Sequence, residues 1–141
     1  MIIFERLVIL GVGLMGGSLA LAAKQAGVVG TVVGWSRTDA TLQSALANGV
    51  IDEAQSDLSA ALADADCVVV ATPTILAESV MQQVLEQVPV TTAVTDVASV
   101  KGNIAASLTA HFGSIPPNAI LGHPIAGSER SGVAAANVNL Y

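Results

Sequence analysis

Apolar residues recur along this chain in two alternating spacings. Continuous or β-branched runs, such as Leu7-Val8-Ile9-Leu10 and Cys67-Val68-Val69-Val70-Ala71, read as strands buried on both faces. They fall at residues 6–10, 31–35, 67–71, 93–95 and 119–121. Helical spacing fills the gaps. Residues 16–25 are rich in Ala and Leu and stop at Gly27, and residues 38–47 stop at Asn48-Gly49. Residues 57–63 read as a short helix with Asp57 as N-cap. Over residues 74–87, Ile75, Leu76, Val80, Met81, Val84 and Leu85 form one apolar stripe. A further helix is expected over 100–110, and Pro116-Pro117-Asn118 reads as a loop. Strands apolar on both faces, separated by helices, predict a parallel sheet covered on two sides. The expected fold is therefore α/β: a Rossmann-type, doubly wound, mostly parallel sheet with helices on both faces.

Composition narrows this picture. The 141 residues suit one domain, 1–141, and the chain is 52% hydrophobic with only 3% aromatic residues, so its core must be aliphatic. Net charge is −6, and the five basic residues, Arg6, Lys24, Arg37, Lys101 and Arg130, are scattered. No basic stripe exists for a phosphate backbone, so nucleic acid is not an expected partner. Residues 7–23 carry no charge, but their glycine cluster and a length short of ~20 residues argue against a membrane span or signal peptide. Cys67 is the sole cysteine and lies in an apolar run, as expected of a core thiol in a reducing compartment. Two histidines and one cysteine without ligand spacing offer no metal site. The expected location is the cytoplasm.

Candidate chemistry begins at Gly11-Val12-Gly13-Leu14-Met15-Gly16, between an expected strand and an expected helix. In that context the run reads as a dinucleotide loop. Gly11 permits the tight turn, Gly13 lets the backbone approach a pyrophosphate, and Gly16 lets helix and strand pack closely. The helix N-terminus then offers free N–H groups and a partial positive charge to the phosphates, and Leu14 and Met15, within the loop, join the expected cofactor-binding residues. Where an NAD site usually places an acid near the ribose, this chain has Trp35-Ser36-Arg37-Thr38. Ser36 and Thr38 can donate to a 2′-phosphate and Arg37 can pair with it, so NADP is preferred over NAD. Arg37 could equally stack on the adenine of either cofactor or be a solvated loop residue. Asp39 is better placed to favour the first turn of the next helix.

Thr72-Pro73, Asp96 and Ser99, and His123 each follow an expected strand. In a parallel sheet the carboxyl ends of the strands form the ligand crevice, so these residues should converge there. A histidine side chain can take a proton near neutral pH, and Ser99 could orient it or bind the same substrate hydroxyl. His123 could also be a structural group. His111, at an expected helix C-terminus, reads as structural. Asp96, Ser99 and His123 also match the residue types of a hydrolase triad, but Ser99 lacks the Gly-x-Ser-x-Gly elbow and that reading leaves the glycine loop without a purpose.

Across essentially all 141 residues the chain resembles the prephenate/arogenate (cyclohexadienyl) dehydrogenases. The resemblance is carried by residues 11–19, by Thr95-Asp96-Val97-Ala98-Ser99-Val100-Lys101 and by Gly122-His123-Pro124-Ile125-Ala126-Gly127-Ser128-Glu129. It implies an NAD(P)-dependent oxidative decarboxylation in tyrosine biosynthesis, with prephenate or arogenate as the small-molecule substrate. It also implies that His123 deprotonates the 4-hydroxyl, that Ser99 helps position hydroxyl and histidine, and that Glu129 gates the pocket through ionic contacts. Ser36 stands where many relatives carry an acid, and Ala98 replaces a usual glycine. Family members continue into a helical domain that makes the homodimer and contributes a substrate-binding arginine. These 141 residues are thus expected to be the cofactor-binding part, with little or no turnover alone. Other readings are a β-hydroxyacid or imine-type dehydrogenase and a nucleotide-sensing module without chemistry.

Overall fold

The computed structural model describes residues 1–141. Strands and helices alternate as β1 (Phe4–Leu10), α1 (Leu14–Gln25), β2 (Val29–Trp35), α2 (Asp39–Ala47), β3 (Glu53–Gln55), α3 (Leu58–Leu62), β4 (Cys67–Val70), α4 (Thr74–Gln87), β5 (Ala93–Asp96), α5 (Gly102–Phe112) and β6 (Ala119–Ile120), followed by a 3-10 turn at Val133–Ala135. The six strands form one sheet in the order β3-β2-β1-β4-β5-β6. Every neighbouring pair is parallel. The fold is thus the doubly wound α/β architecture expected from the alternating pattern, with the sheet parallel throughout.

Side-chain alternation along the strands divides the core into two layers. Val8 and Leu10 of β1 join Val68 and Val70 of β4 against α4 and α5, where Val80, Met81, Val84, Ile104 and Leu108 are buried. Leu7 and Ile9 point the other way, with Val32, Cys67 and Val69, and meet Ala20 of α1 and Leu42 and Ala45 of α2. Small residues on α1 let it lie close to the sheet. Cys67 is buried, and burial, with a smaller contribution from the negative charge of Asp66, pushes its thiol up to about 11. Native protein at pH 8 is therefore expected to resist iodoacetamide under conditions that label the denatured chain fully. Equal labelling of native and denatured protein, followed by mass spectrometry, would refute this.

The ends of several elements differ from expectation for identifiable reasons. Strand β3 was not expected, because Glu53-Ala54-Gln55 carries no apolar signal. It forms by pairing with the end of β2 and is pinned by Asp52, whose Oδ2 accepts from the Val32 N–H at 2.8 Å while Oδ1 takes Lys24 Nζ at 2.7 Å. Helix α1 begins at Leu14 rather than residue 16, with Gly13 as N-cap. Helix α5 begins at Gly102 rather than residue 100, and the residues between β5 and α5 form a loop tied to the Asp96 carboxylate. Asp57 caps α3 as expected, its side chain accepting from the Ala60 N–H at 2.8 Å. His111 sits in the last turn of α5, where it pairs with Glu86 at 2.5 Å.

Candidate functional site

The connection leaving β1 runs to β2 on one side, while β4 lies on the other. Loops after β1 and β4 therefore diverge and leave a crevice at the carboxyl ends of the strands. It encloses about 540 Å³ and is lined by Gly11, Gly13, Leu14 and Met15 after β1, Ser36 after β2, Thr72 and Pro73 after β4, Ser99 after β5 and His123 after β6. Arg130, Ser131, Gly132 and Val133 close it from the C-terminal segment.

The three glycines of the first loop do different physical work. Gly11 has φ +95°, and a Cβ there would lie 2.6 Å from the Ala71 carbonyl oxygen. Its N–H donates to the Trp35 carbonyl at 2.9 Å, so the loop is held to β2. A Cβ on Gly16 would lie 2.3 Å from the Gly11 carbonyl oxygen and 2.7 Å from Ile9 Cγ2, so α1 can pack onto β1 only without one. Gly13 is different: a Cβ there would meet nothing within 4 Å. It would project into free space at the start of α1, which has no side-chain cap and no acid in its first turn. Such a helix N-terminus offers N–H donors and a partial positive charge.

Thr72 adjoins this loop, its backbone N 2.8 Å from where a Cβ on Gly11 would lie, and its Oγ1 is buried and has no hydrogen-bond partner. A buried hydroxyl without a partner is costly unless something in the crevice completes it. The uncapped helix start, the open space beside Gly13 and the orphaned Thr72 hydroxyl together fit the phosphates of a dinucleotide. At the end of β2, Ser36 and Arg37 line an adjoining pocket of about 180 Å³ with Trp35, Pro73 and Leu76. No carboxylate lines this pocket or the main crevice. Thr38 lines neither. Its hydroxyl donates to Thr41 Oγ1 at 2.8 Å and its N–H to Ser36 Oγ at 3.3 Å. Asp39 lies in the first turn of α2.

Ser99 and His123 are both exposed to the crevice, and no hydrogen bond joins them. Nor does Asp96 serve His123. Its buried carboxylate accepts from Lys101 Nζ, from the Ala98 N–H at 3.1 Å and from the Gly122 N–H at 3.1 Å. The hydrolase alternative therefore lacks its acid. Gly122 is required at its position, because a Cβ there would lie 2.7 Å from the Asp96 carbonyl oxygen.

Glu129 faces a second cavity, of about 660 Å³, shared with Leu14 and Leu21 of α1 and with residues of the C-terminal segment. Arg130 lines both spaces. That segment returns over α1: Ser18 Oγ accepts from the Asn137 N–H at 2.8 Å, and the Tyr141 hydroxyl donates to the Met15 carbonyl at 2.9 Å. The crevice contacts of Arg130 and Ser131 have no local signature in the sequence. These residues continue the run that begins at Gly122-His123, but their types do not say which side chains turn toward the crevice. No group of three or more His, Cys, Asp or Glu side chains is arranged to hold a metal ion, and no helix is long and apolar enough to cross a membrane.

Residues 19–141 match the family model described as prephenate dehydrogenase, nucleotide-binding domain. The prephenate dehydrogenase of Lactococcus lactis subsp. cremoris (strain MG1363) is 32% identical over 97% of this chain and 38% of its own length. Among solved structures, the prephenate dehydrogenase of A. aeolicus, in complex with hydroxyphenyl propionate and NAD+, superposes with a TM-score of 0.88 at 30% identity, covering 97% of this chain and 47% of that one. Synechocystis arogenate dehydrogenase superposes with a TM-score of 0.84 at 32% identity, again over 97% and 47%. The chain therefore spans less than half the length of each of these relatives.

Proposed function

We infer the function of this chain from its family: it belongs to the prephenate dehydrogenases, as their nucleotide-binding domain. We propose that it is the cofactor-binding part of an NAD(P)-dependent dehydrogenase acting on prephenate or arogenate. The observation that carries this reading is one crevice with two unlike walls. One wall has the uncapped start of α1 and the unpartnered Thr72 hydroxyl; the other presents Ser99 and His123.

Gly11, Gly13 and the N–H groups of Leu14 and Met15 would hold the pyrophosphate, and Thr72 would complete its hydrogen bonding there. When bound, the nicotinamide supplies the hydride acceptor. His123 takes the proton of the substrate hydroxyl at a ring nitrogen, and Ser99 holds that hydroxyl through its own oxygen. Loss of the ring carboxylate as CO2 and aromatisation of the ring drive the reaction. Glu129, reached through the neighbouring cavity, acts as an ionic gate with charges in the substrate path. A helical domain outside these residues completes the carboxylate site and forms the homodimer, as the family resemblance implies.

The cofactor is NADP in preference to NAD. The end of β2 offers Ser36 and Arg37 to a ribose 2′-phosphate, and no carboxylate lines that pocket to repel it. Thr38, engaged with Thr41, can contribute only after giving up that bond. Calorimetric titration with NADP+ and NAD+ tests this reading directly. NADP+ is expected to bind at least ~10-fold tighter, and Ser36→Asp, which sets a carboxylate beside the 2′-position, is expected to reverse the order. Equal affinities in the unmodified protein would remove the NADP preference. Binding of neither nucleotide would overturn the cofactor reading itself.

A further inference from the structure

Ser99 and His123 come from loops after different strands, and the sheet does little to register them. Strand β6 is only Ala119–Ile120, and its pairing with β5 ends at Thr95↔Ile120. Beyond that point the two loops are joined through side chains. The buried Asp96 carboxylate accepts the N–H of Ala98, the residue before Ser99. It also accepts the N–H of Gly122, the residue before His123. Lys101 Nζ donates to that same carboxylate and, at 2.5 Å, to the Gly122 carbonyl. Both backbone polar groups of Gly122 are therefore held by one buried acid and one lysine.

Lys101 does not line the crevice, and its ammonium is turned inward against a side chain with no exposure. We propose that Lys101 and Asp96 are a positioning pair: they continue the β5–β6 ladder past its end and set the separation of the Ser99 hydroxyl from the His123 imidazole. Neither group handles a substrate proton. The geometry argues for this division, because each of the pair's partners is a backbone group one residue away from a crevice side chain. An acid alone could bind the two N–H groups. The lysine adds the bond to the Gly122 carbonyl and neutralises a charge that is otherwise costly to bury.

The kinetic part of this inference rests on the dehydrogenase reading. The test compares Lys101→Met with Lys101→Arg in the natural protein that contains these residues. Lys101→Met is expected to leave the nucleotide Kd within about twofold, since the phosphate wall is untouched. Amide exchange at Gly122, whose N–H is bonded to Asp96, is expected to quicken ~10-fold or more, as the local closure is lost. Turnover with prephenate or arogenate is expected to fall ~10²-fold in kcat with little change in KM, and Lys101→Arg to recover most of it. Should the Met variant be too unstable to assay, Lys101→Gln, which keeps a donor without the charge, carries the same comparison. Exchange at Gly122 unchanged from the unmodified protein, or faster exchange with full kcat, would overturn the proposal. If the unmodified protein turns over neither substrate, the dehydrogenase reading has failed, while the exchange measurement still decides whether Lys101 and Asp96 hold the loop.

Discussion

His123→Asn is expected to lower turnover of prephenate or arogenate by ~10²–10⁴-fold, the usual worth of a positioned general base. Nucleotide affinity should stay within about twofold. The asparagine is close in size and still donates a hydrogen bond, but it cannot take a proton. His123 stands exposed to the crevice, on the loop after β6. Its removal therefore creates no buried cavity, and the thermal midpoint should hardly move. Steady-state kinetics and calorimetry on the natural protein separate the outcomes. Full turnover would show that His123 is not the base. Lost turnover together with lost nucleotide binding would assign it to the architecture of the crevice instead.

The glycine loop should answer three substitutions in two different ways. Gly16→Ala and Gly11→Ala are expected to destabilise the fold. A Cβ at either position would meet backbone oxygen, at 2.3 Å and 2.6 Å respectively, and backbone cannot step aside as a side-chain tip can. Overpacking typically costs ~1–3 kcal/mol, and Gly11 adds the strain of an L-residue at positive φ, roughly 1–2 kcal/mol. For a domain of this size, that corresponds to a midpoint lowered on the order of 10 °C. Gly13→Ala should lower the midpoint far less, because a Cβ there meets nothing within 4 Å and only the small N-cap preference for Gly over Ala is lost. It should instead weaken NADP+ binding by ~10-fold or more, since the methyl occupies the space through which the pyrophosphate approaches the backbone. Melting curves with and without NADP+ distinguish the cases. A Gly13→Ala protein that binds nucleotide normally would exclude this loop as the phosphate site.

The gathering of Ser36, Thr72, Ser99 and His123 around one crevice could be anticipated because each lies just past a strand, and parallel strands end on one edge. Other parts of the site resisted such reading. Glu129 was grouped with His123 from their shared motif, yet it faces the neighbouring cavity. Thr38 was grouped with Ser36, yet its hydroxyl is spent on Thr41. A motif states which residues are near in sequence, and a loop that turns between them can send their side chains to different spaces.

What the sequence determined by itself was local: two periodicities, the glycine turn, the Asp57 cap and the glycine stops. These rest on interactions within a few residues, whose outcome depends little on the rest of the chain. They were enough to specify an α/β layer order, because strands apolar on both faces must be covered twice. Tertiary structure alone decided β3, which forms only against β2, and the Asp96–Lys101 clasp on Gly122. It alone brought Asn137 to Ser18, 119 residues away, and Tyr141 to Met15. These contacts are single hydrogen bonds between polar groups that have no preference for one another until the packed sheet and helices set them at bonding distance. The aliphatic core is therefore written as a pattern, whereas the polar contacts that shape the crevice exist only once that core has folded.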